Sequence, residues 1–359
     1  TDAYADFSYF MAHAGLNFNL SAPGVAGDGP SHHLHHPHHG APLPAGIMFG
    51  HMLNQADDIM VGYRYQYSNQ GGDMLRGSST VSDLALGLSG CAGLICYSKP
   101  TDMTMHMHMF DFMYAPTDWL NLMVMPQVMD MSMSLVNLPW GSAADAHGGG
   151  HNSNGIGDTI MTALVKMFEA PGHHVHVGIG LSAPTGSTSV TLDGRTGDGT
   201  VLQDYGMQLG SGTWDFKPSL TYAGFHDDWS WGLQLSGIKR IEGRNNAGYA
   251  LGDQFQSTAW GGYSFYDWLS ATVRGSYTIL GRISGGFTDT HPITAPVDFP
   301  SNYGGRFWDV GVGVSLAAPP GEYFGHTLSV EWLQPVSDDF NGYQLRRNGS
   351  LSAVWSYMF

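Results

Sequence analysis

The sequence predicts an all-β chain: a transmembrane, antiparallel, up-and-down β-barrel of about twelve strands, preceded by an irregular N-terminal segment. Three observations predict it. Charged residues are only 12% of the chain, about half the ~25% usual in globular proteins, so much of the surface is expected to avoid water. No run comes near the ~18 consecutive apolar residues of a membrane-spanning helix. Segment after segment alternates apolar and polar residues with period two, the pattern of a strand with one face in lipid and the other in a lumen.

The alternation starts at residue 58. In DIMVGYRYQYS, Ile59, Val61, Tyr63, Tyr65 and Tyr67 share one face, opposite Met60, Gly62, Arg64 and Gln66. In HHVHVGIGLS, Val175, Val177, Ile179 and Leu181 oppose His174, His176, Gly178, Gly180 and Ser182. WSWGLQLS, DWLSATVRGSY and FWDVGVGVSL split the same way, and the chain ends with Leu351, Ala353, Trp355, Tyr357 and Phe359 on one face. Strands are expected near 58–68, 103–115, 118–134, 157–169, 173–184, 213–226, 229–241, 255–266, 268–281, 305–317, 325–335 and 349–359. Their connections then alternate short and long, the long ones near 69–102, 135–156, 185–212, 242–254, 282–304 and 336–348. That rhythm is typical of periplasmic turns and extracellular loops, so the location is expected to be the bacterial outer membrane. A soluble β-sandwich would carry more surface charge and lack the rhythm.

Residues 1–57 form the irregular segment, read as a periplasmic or lumenal plug, and 58–359 the barrel. Thr1 opens no signal-like stretch, so a processed form is expected. The segment SHHLHHPHHG holds His32, His33, His35, His36, His38 and His39, a metal-capturing composition. The alternative is a solvated tail. The net charge of −16 argues against nucleic acid, whose phosphates attract Lys and Arg, and suits a path that handles cations. Cys91 and Cys96 are open to two readings, a small loop disulfide or a thiolate pair.

The most unusual chemistry lies in TDMTMHMHMFDFMYAPTDWLNLMVMPQVMDMSMSL. If Phe110, Phe112 and Tyr114 face lipid, then Asp111 points inward with Met103, Met105, Met107, Met109 and Met113. On the following strand Leu120, Leu122 and Val124 face lipid, and Asn121, Met123, Met125, Gln127, Met129, Met131 and Met133 face the lumen. Uncharged thioether sulfur prefers Cu(I) over hard ions, and imidazole adds affinity for Cu(II). His51, Met60, His174 and His176 would extend such a track, with Met48 and Met52. The competing reading is packing: methionine fills irregular apolar space and suits small hydrophobic molecules. His147 and His151, in AHGGGHNSNG, are read first as loop residues. No GxSxG, HExxH or P-loop is present, so no enzyme is expected.

Several stretches carry a family resemblance: HMLNQADDIMVGYRY, DMTMHMHMFDFMYAPTDWLNLMVMPQVMDMSM, GIGDTIMTALVKMF, VHVGIGLSAPTGS and YGMQLGSGTWDFKPSLTYAGFHDDWSWG. Over roughly residues 45 to 359 the chain resembles the transporter-like outer-membrane family named for the meta-pathway of phenol degradation. The resemblance implies a barrel that passes aromatic compounds. The long first loop with Cys91 and Cys96, and the histidine run, depart from the family pattern and inherit nothing from it. Three functions are therefore expected to compete: a channel with a Met/His-lined lumen for copper-like ions, a channel for small hydrophobic or aromatic compounds, and a structural barrel docking a periplasmic protein partner through residues 1–57.

Overall fold

Alternation decides the architecture. On the strand that holds the first methionine run, Phe110, Phe112 and Tyr114 are 41%, 52% and 41% exposed, while Met109, Asp111 and Met113 between them are 1%, 3% and 3%. The computed structural model describes residues 42–142, 150–192, 201–321 and 323–359, and the same inside-outside split runs around its wall. The outward band of Trp, Phe, Val, Leu and Ile is too large for a surface in water, where contiguous apolar patches rarely exceed a few hundred Å2. Hydrocarbon is its natural solvent, and the chain is an outer-membrane barrel.

The first elements are β1 (Ile59–Gly77), β2 (Ser79–Thr80), helix α1 (Asp83–Ser89), β3 (Ser98–Thr117), β4 (Leu120–Met125) and β5 (Gln127–Asn137). Next come β6 (Gly150–Ile156), β7 (Thr159–Ala170), β8 (His173–Ala183), β9 (Asp215–His226), β10 (Trp229–Arg240), β11 (Tyr249–Ala250) and β12 (Gln254–Tyr266). The last are β13 (Leu269–Leu280), β14 (Ser284–Gly285), β15 (Gly305–Ala317) and β16 (His326–Met358). Every main-wall pairing is antiparallel, and β1 closes the ring by bonding both β3 and β16. Closure removes the unpaired edges that hydrocarbon would not tolerate.

Two wall positions are each made of two strands. Sequence reading expects one strand over 118–134, but β4 and β5 are separated by Pro126, which lacks the N–H a ladder needs; its carbonyl still accepts from Phe110. Both β4 and β5 pair with β3. On their other side they pair with β7 and β6, which are broken likewise at Gly157 and Asp158. Among the described residues the ring thus counts eleven strands, and the last doubles back. One arm of β16 pairs with β15 from Thr327 to Phe340, and the other pairs with β1 from Phe340 to Met358. The Thr327 and Ser356 hydroxyls meet across the two arms.

Here the expected loops are corrected. The segment 336–348 is strand and hairpin, and much of 69–102 is the extended top of β1 and the start of β3. A bilayer needs only about 9–11 residues of strand, whereas β1 has 19 and β3 has 20. Beyond the apolar belt the outward face turns polar, so the alternation that marks a strand in the sequence vanishes while the backbone ladder continues. Arg347 bridges Asp309 and Asp338, and Arg346 meets Asp73, across these extensions. The short turns fall at one end, after Thr117, Ala170, His226, Tyr266 and Ala317. At the other end the segments after Ala183 and Leu280 fold over the mouth. Leu202 bonds Thr290, and Tyr97 and Ser98 bond Thr294. Cys91 and Cys96 are disulfide-bonded, which settles the two readings of that pair.

Candidate functional site

The inward methionines form one apolar wall. Antiparallel pairing sets Met103 opposite Met133, Met105 opposite Met131, Met107 opposite Met129, and Met113 opposite both Met123 and Met60. Directly opposed side chains have Cβ atoms ~4.5–5.5 Å apart, so thioethers stack rank beside rank up the lumen. At the turn end Met60, Met109, Met113, Met123 and Met125 pack with Ile160, Leu164, Met52 and Leu53. At the loop end Met129, Met131 and Met133 pack with Met207, Leu209 and Val190, with Met103 and Met105 against them. Met107 touches both groups, which makes the wall continuous.

The facing wall is polar. Ser219 and Thr221 of β9, Ser230 and Gln234 of β10, and Ser270, Thr272 and Ser276 of β13 are all buried on the lumen side. Ion pairs sit on this wall: Arg274 Nε meets Glu331 Oε1 at 2.6 Å, and Arg240 of β10 meets Asp215 of β9 toward the loop end. The lumen is therefore amphipathic, with sulfur and hydrocarbon on one side and hydroxyls, amides and paired charges on the other.

Between the two walls run residues 42–53, and Asn54 to Asp57 are exposed at the turn end, where the Ala56 N–H donates to Asp118 and the Asp57 N–H to the Ala115 carbonyl. Arg64 donates to the carbonyls of Ala45 and Ile47. Glu331 Oε2 accepts from the Gly46 N–H. Gln234 donates to the Met48 carbonyl at 2.8 Å, and His176 to that of Phe49 at 2.7 Å. Asn121 Oδ1 accepts from the Leu53 N–H at 2.7 Å. Five side chains from five strands thus hold backbone groups of one irregular stretch, and Ala45, Ile47, Met52 and Leu53 are buried. No motif in the sequence marks Gln234, Arg274 or Glu331. The available signal was an isolated charged or amide side chain on an inward face otherwise built of Ser, Thr and Gly.

His174 and His176 both face inward, as the alternation predicts. Because His176 Nε2 donates to a carbonyl, its Nδ1 is the acceptor for His174 Nε2–H at 3.0 Å. The His176 ring is thus committed at both nitrogens to protein groups. His51 opens onto space inside the barrel. It lies beside the Arg64 guanidinium and His174. Among the described residues no three His, Cys, Asp or Glu side chains gather as a metal site. The donors that do gather are sulfurs. His32, His33, His35, His36, His38, His39 and His147 lie outside the described residues.

The family described as "Putative MetA-pathway of phenol degradation" matches residues 126–322, more than half of the chain. The chain belongs to this family. No curated protein matches it. Among solved structures, an outer-membrane channel from Pseudomonas putida F1 superposes with a TM-score of 0.55 at 14% identity, over 85% of this chain and 96% of the other. The β domain of the Bordetella autotransporter BrkA gives 0.43 at 14% identity, over 84% and 100%. The KdgM porin gives 0.35 at 9%, over 84% and 99%. The first of these likenesses agrees with the closed barrel described above.

At the loop end of this family member the methionine wall meets a polar cluster. His151, expected in a loop, is on β6 opposite Met133 and is 1% exposed. Its Nδ1 lies 3.0 Å from Asp204 Oδ2. Asp298 accepts from the N–H groups of Thr294 and Ala295. Burial, reinforced by the Asp204 charge, pushes its pKa up to about 7. The signal that misleads about His151 is its glycine-rich, polar surroundings, which carry no apolar alternation.

Proposed function

We propose that this outer-membrane barrel is a channel for small, uncharged apolar or aromatic solutes, which travel along the methionine wall. The observation that carries the reading is the continuous inward array of thioethers from Met60 to Met133, packed with Ile160, Leu164 and Leu209. Methionine suits such a task because its unbranched, polarisable chain adapts to differently shaped apolar partners and favours aromatic rings. The family's description, which refers to phenol degradation, supports the same solute class. The hydroxyl wall opposite would accept the single polar group of a phenol-like molecule. Vesicles carrying the protein are expected to admit a phenol faster than a sugar of similar size. Equal rates for the two would reject the apolar path.

A second reading is favoured by the rank-on-rank pairing of Met103, Met105 and Met107 with Met133, Met131 and Met129. Adjacent weak thioether sites are what a passing Cu(I) ion would need, with His51 near the turn end. One set of substitutions separates the two readings. Changing Met105, Met107, Met123 and Met125 together to Leu keeps the apolar lining and removes the sulfur. Apolar solute flux is then retained, whereas copper binding and copper tolerance would fall if the ion is the cargo.

A further inference from the structure

We propose that the outer face of the turn-end rim holds one phospholipid of the inner leaflet, in a groove between β13, β15 and β16. The groove, about 470 Å3, is lined by Trp268, Leu316, Ala317, Leu328, Trp355 and His326. Upward along the same strands, Val310, Val312 and Val314 of β15 and Val330 and Trp332 of β16 are exposed on the lipid-facing side. The groove is therefore continuous with the bilayer-facing wall, and an acyl chain can reach it without leaving hydrocarbon. A protein partner would need about 800 Å2 per side, and the surface beside this groove is already committed to lipid.

The second half of the site is a fixed donor. The Trp355 indole nitrogen can only donate, and it lies 3.3 Å from His326 Nδ1. That nitrogen is therefore an acceptor, and the neutral ring carries its proton on Nε2. The Tyr357 ring stacks on the imidazole with centroids 4.3 Å apart and planes 22° from parallel, which holds the orientation. An apolar groove whose lining includes an oriented N–H donor, at the depth of the aromatic girdle, matches a lipid whose acyl chains lead to a phosphate. Short turns mark this rim as periplasmic, where the leaflet is phospholipid.

The test is native mass spectrometry of the full chain in mild detergent, with phosphatidylethanolamine and a diacylglycerol of the same chains as probes. The wild type is expected to retain one phosphatidylethanolamine and to hold the diacylglycerol about tenfold more weakly, the factor one hydrogen bond to a charged group supplies. His326→Phe keeps the stacked ring but removes the donor, and should make the two probes equal. Trp268→Ala with Leu328→Ala strips two exposed groove walls, and both probes should be lost while the folded-barrel gel mobility is unchanged. Equal retention of the two probes by the wild type would overturn the proposal. So would phosphatidylethanolamine retained at wild-type level by the double variant, or a dimer in which this groove is covered by a second copy.

Discussion

The Arg274–Glu331 pair offers the sharpest test of how the lumen is organised. The two side chains are 5% and 1% exposed. Glu331 serves two partners at once, Arg274 through Oε1 and the Gly46 N–H through Oε2. Glu331→Ala strands the guanidinium without a counter-charge, which for a buried pair costs about 3–5 kcal/mol. Loss of the acceptor for Gly46 adds about 1 kcal/mol. Replacing both partners, Arg274→Met with Glu331→Leu, removes the charges together and should lie within about 1–2 kcal/mol of the wild type, because a hydrophobic pair of similar volume is often neutral or better. Guanidinium-induced unfolding in lipid vesicles, followed by tryptophan fluorescence, reads both. The reasoning fails if Glu331→Ala unfolds within about 1 kcal/mol of the wild type, which would mean that water already solvates the pair. It fails equally if the double variant falls as far as the single one.

Removal of residues 42–53 should raise single-channel conductance severalfold in planar bilayers, since this stretch fills the space between the two walls; unchanged conductance would place the constriction at the loop end. Asp298 should make the loop-end cap pH-dependent. Its folded pKa, about 7, lies above the usual carboxylate value, so its stabilising contribution is full below about pH 4 and is lost as pH rises through 7. Asp298→Asn should flatten that dependence in hydrogen exchange of residues 290–303, and an unaltered slope between pH 5 and pH 8 would refute it. Cys91→Ser with Cys96→Ser opens a short loop worth about 2 kcal/mol by chain entropy. Limited proteolysis should then cut near α1 while the barrel keeps its gel mobility.

Much of the wall is legible in the sequence because lipid and lumen impose opposite chemistry on successive residues. Phe110 and Phe112 out with Asp111 in, or Val310 and Val312 out with Asp309 and Gly311 in, can be read without coordinates. The methionines follow by the same parity, as do His174 and His176. Legibility ends where that contrast ends. Above the belt the outward face turns polar, as at Asn69 and Asp102, so β1 runs on past the expected 68 and β3 begins before the expected 103. The hairpin of β16 is hidden by Asp338, Asp339, Asn341 and Arg346, which look like loop composition. Residues 42–57 have no period at all, and their partners lie as far away in sequence as Glu331 does from Gly46. Such contacts depend on barrel closure, which local pattern does not encode.

The bonds that fix residues 45–53 all end on peptide groups. A side chain there can therefore change without removing any of these bonds, and variation at Met48 and Phe49 is limited instead by their packing against the methionine cluster. Gly46 is the exception. A Cβ at that position would run into the Arg274 guanidinium and the Glu331 carboxylate, so across related sequences this glycine and that ion pair should persist or disappear together.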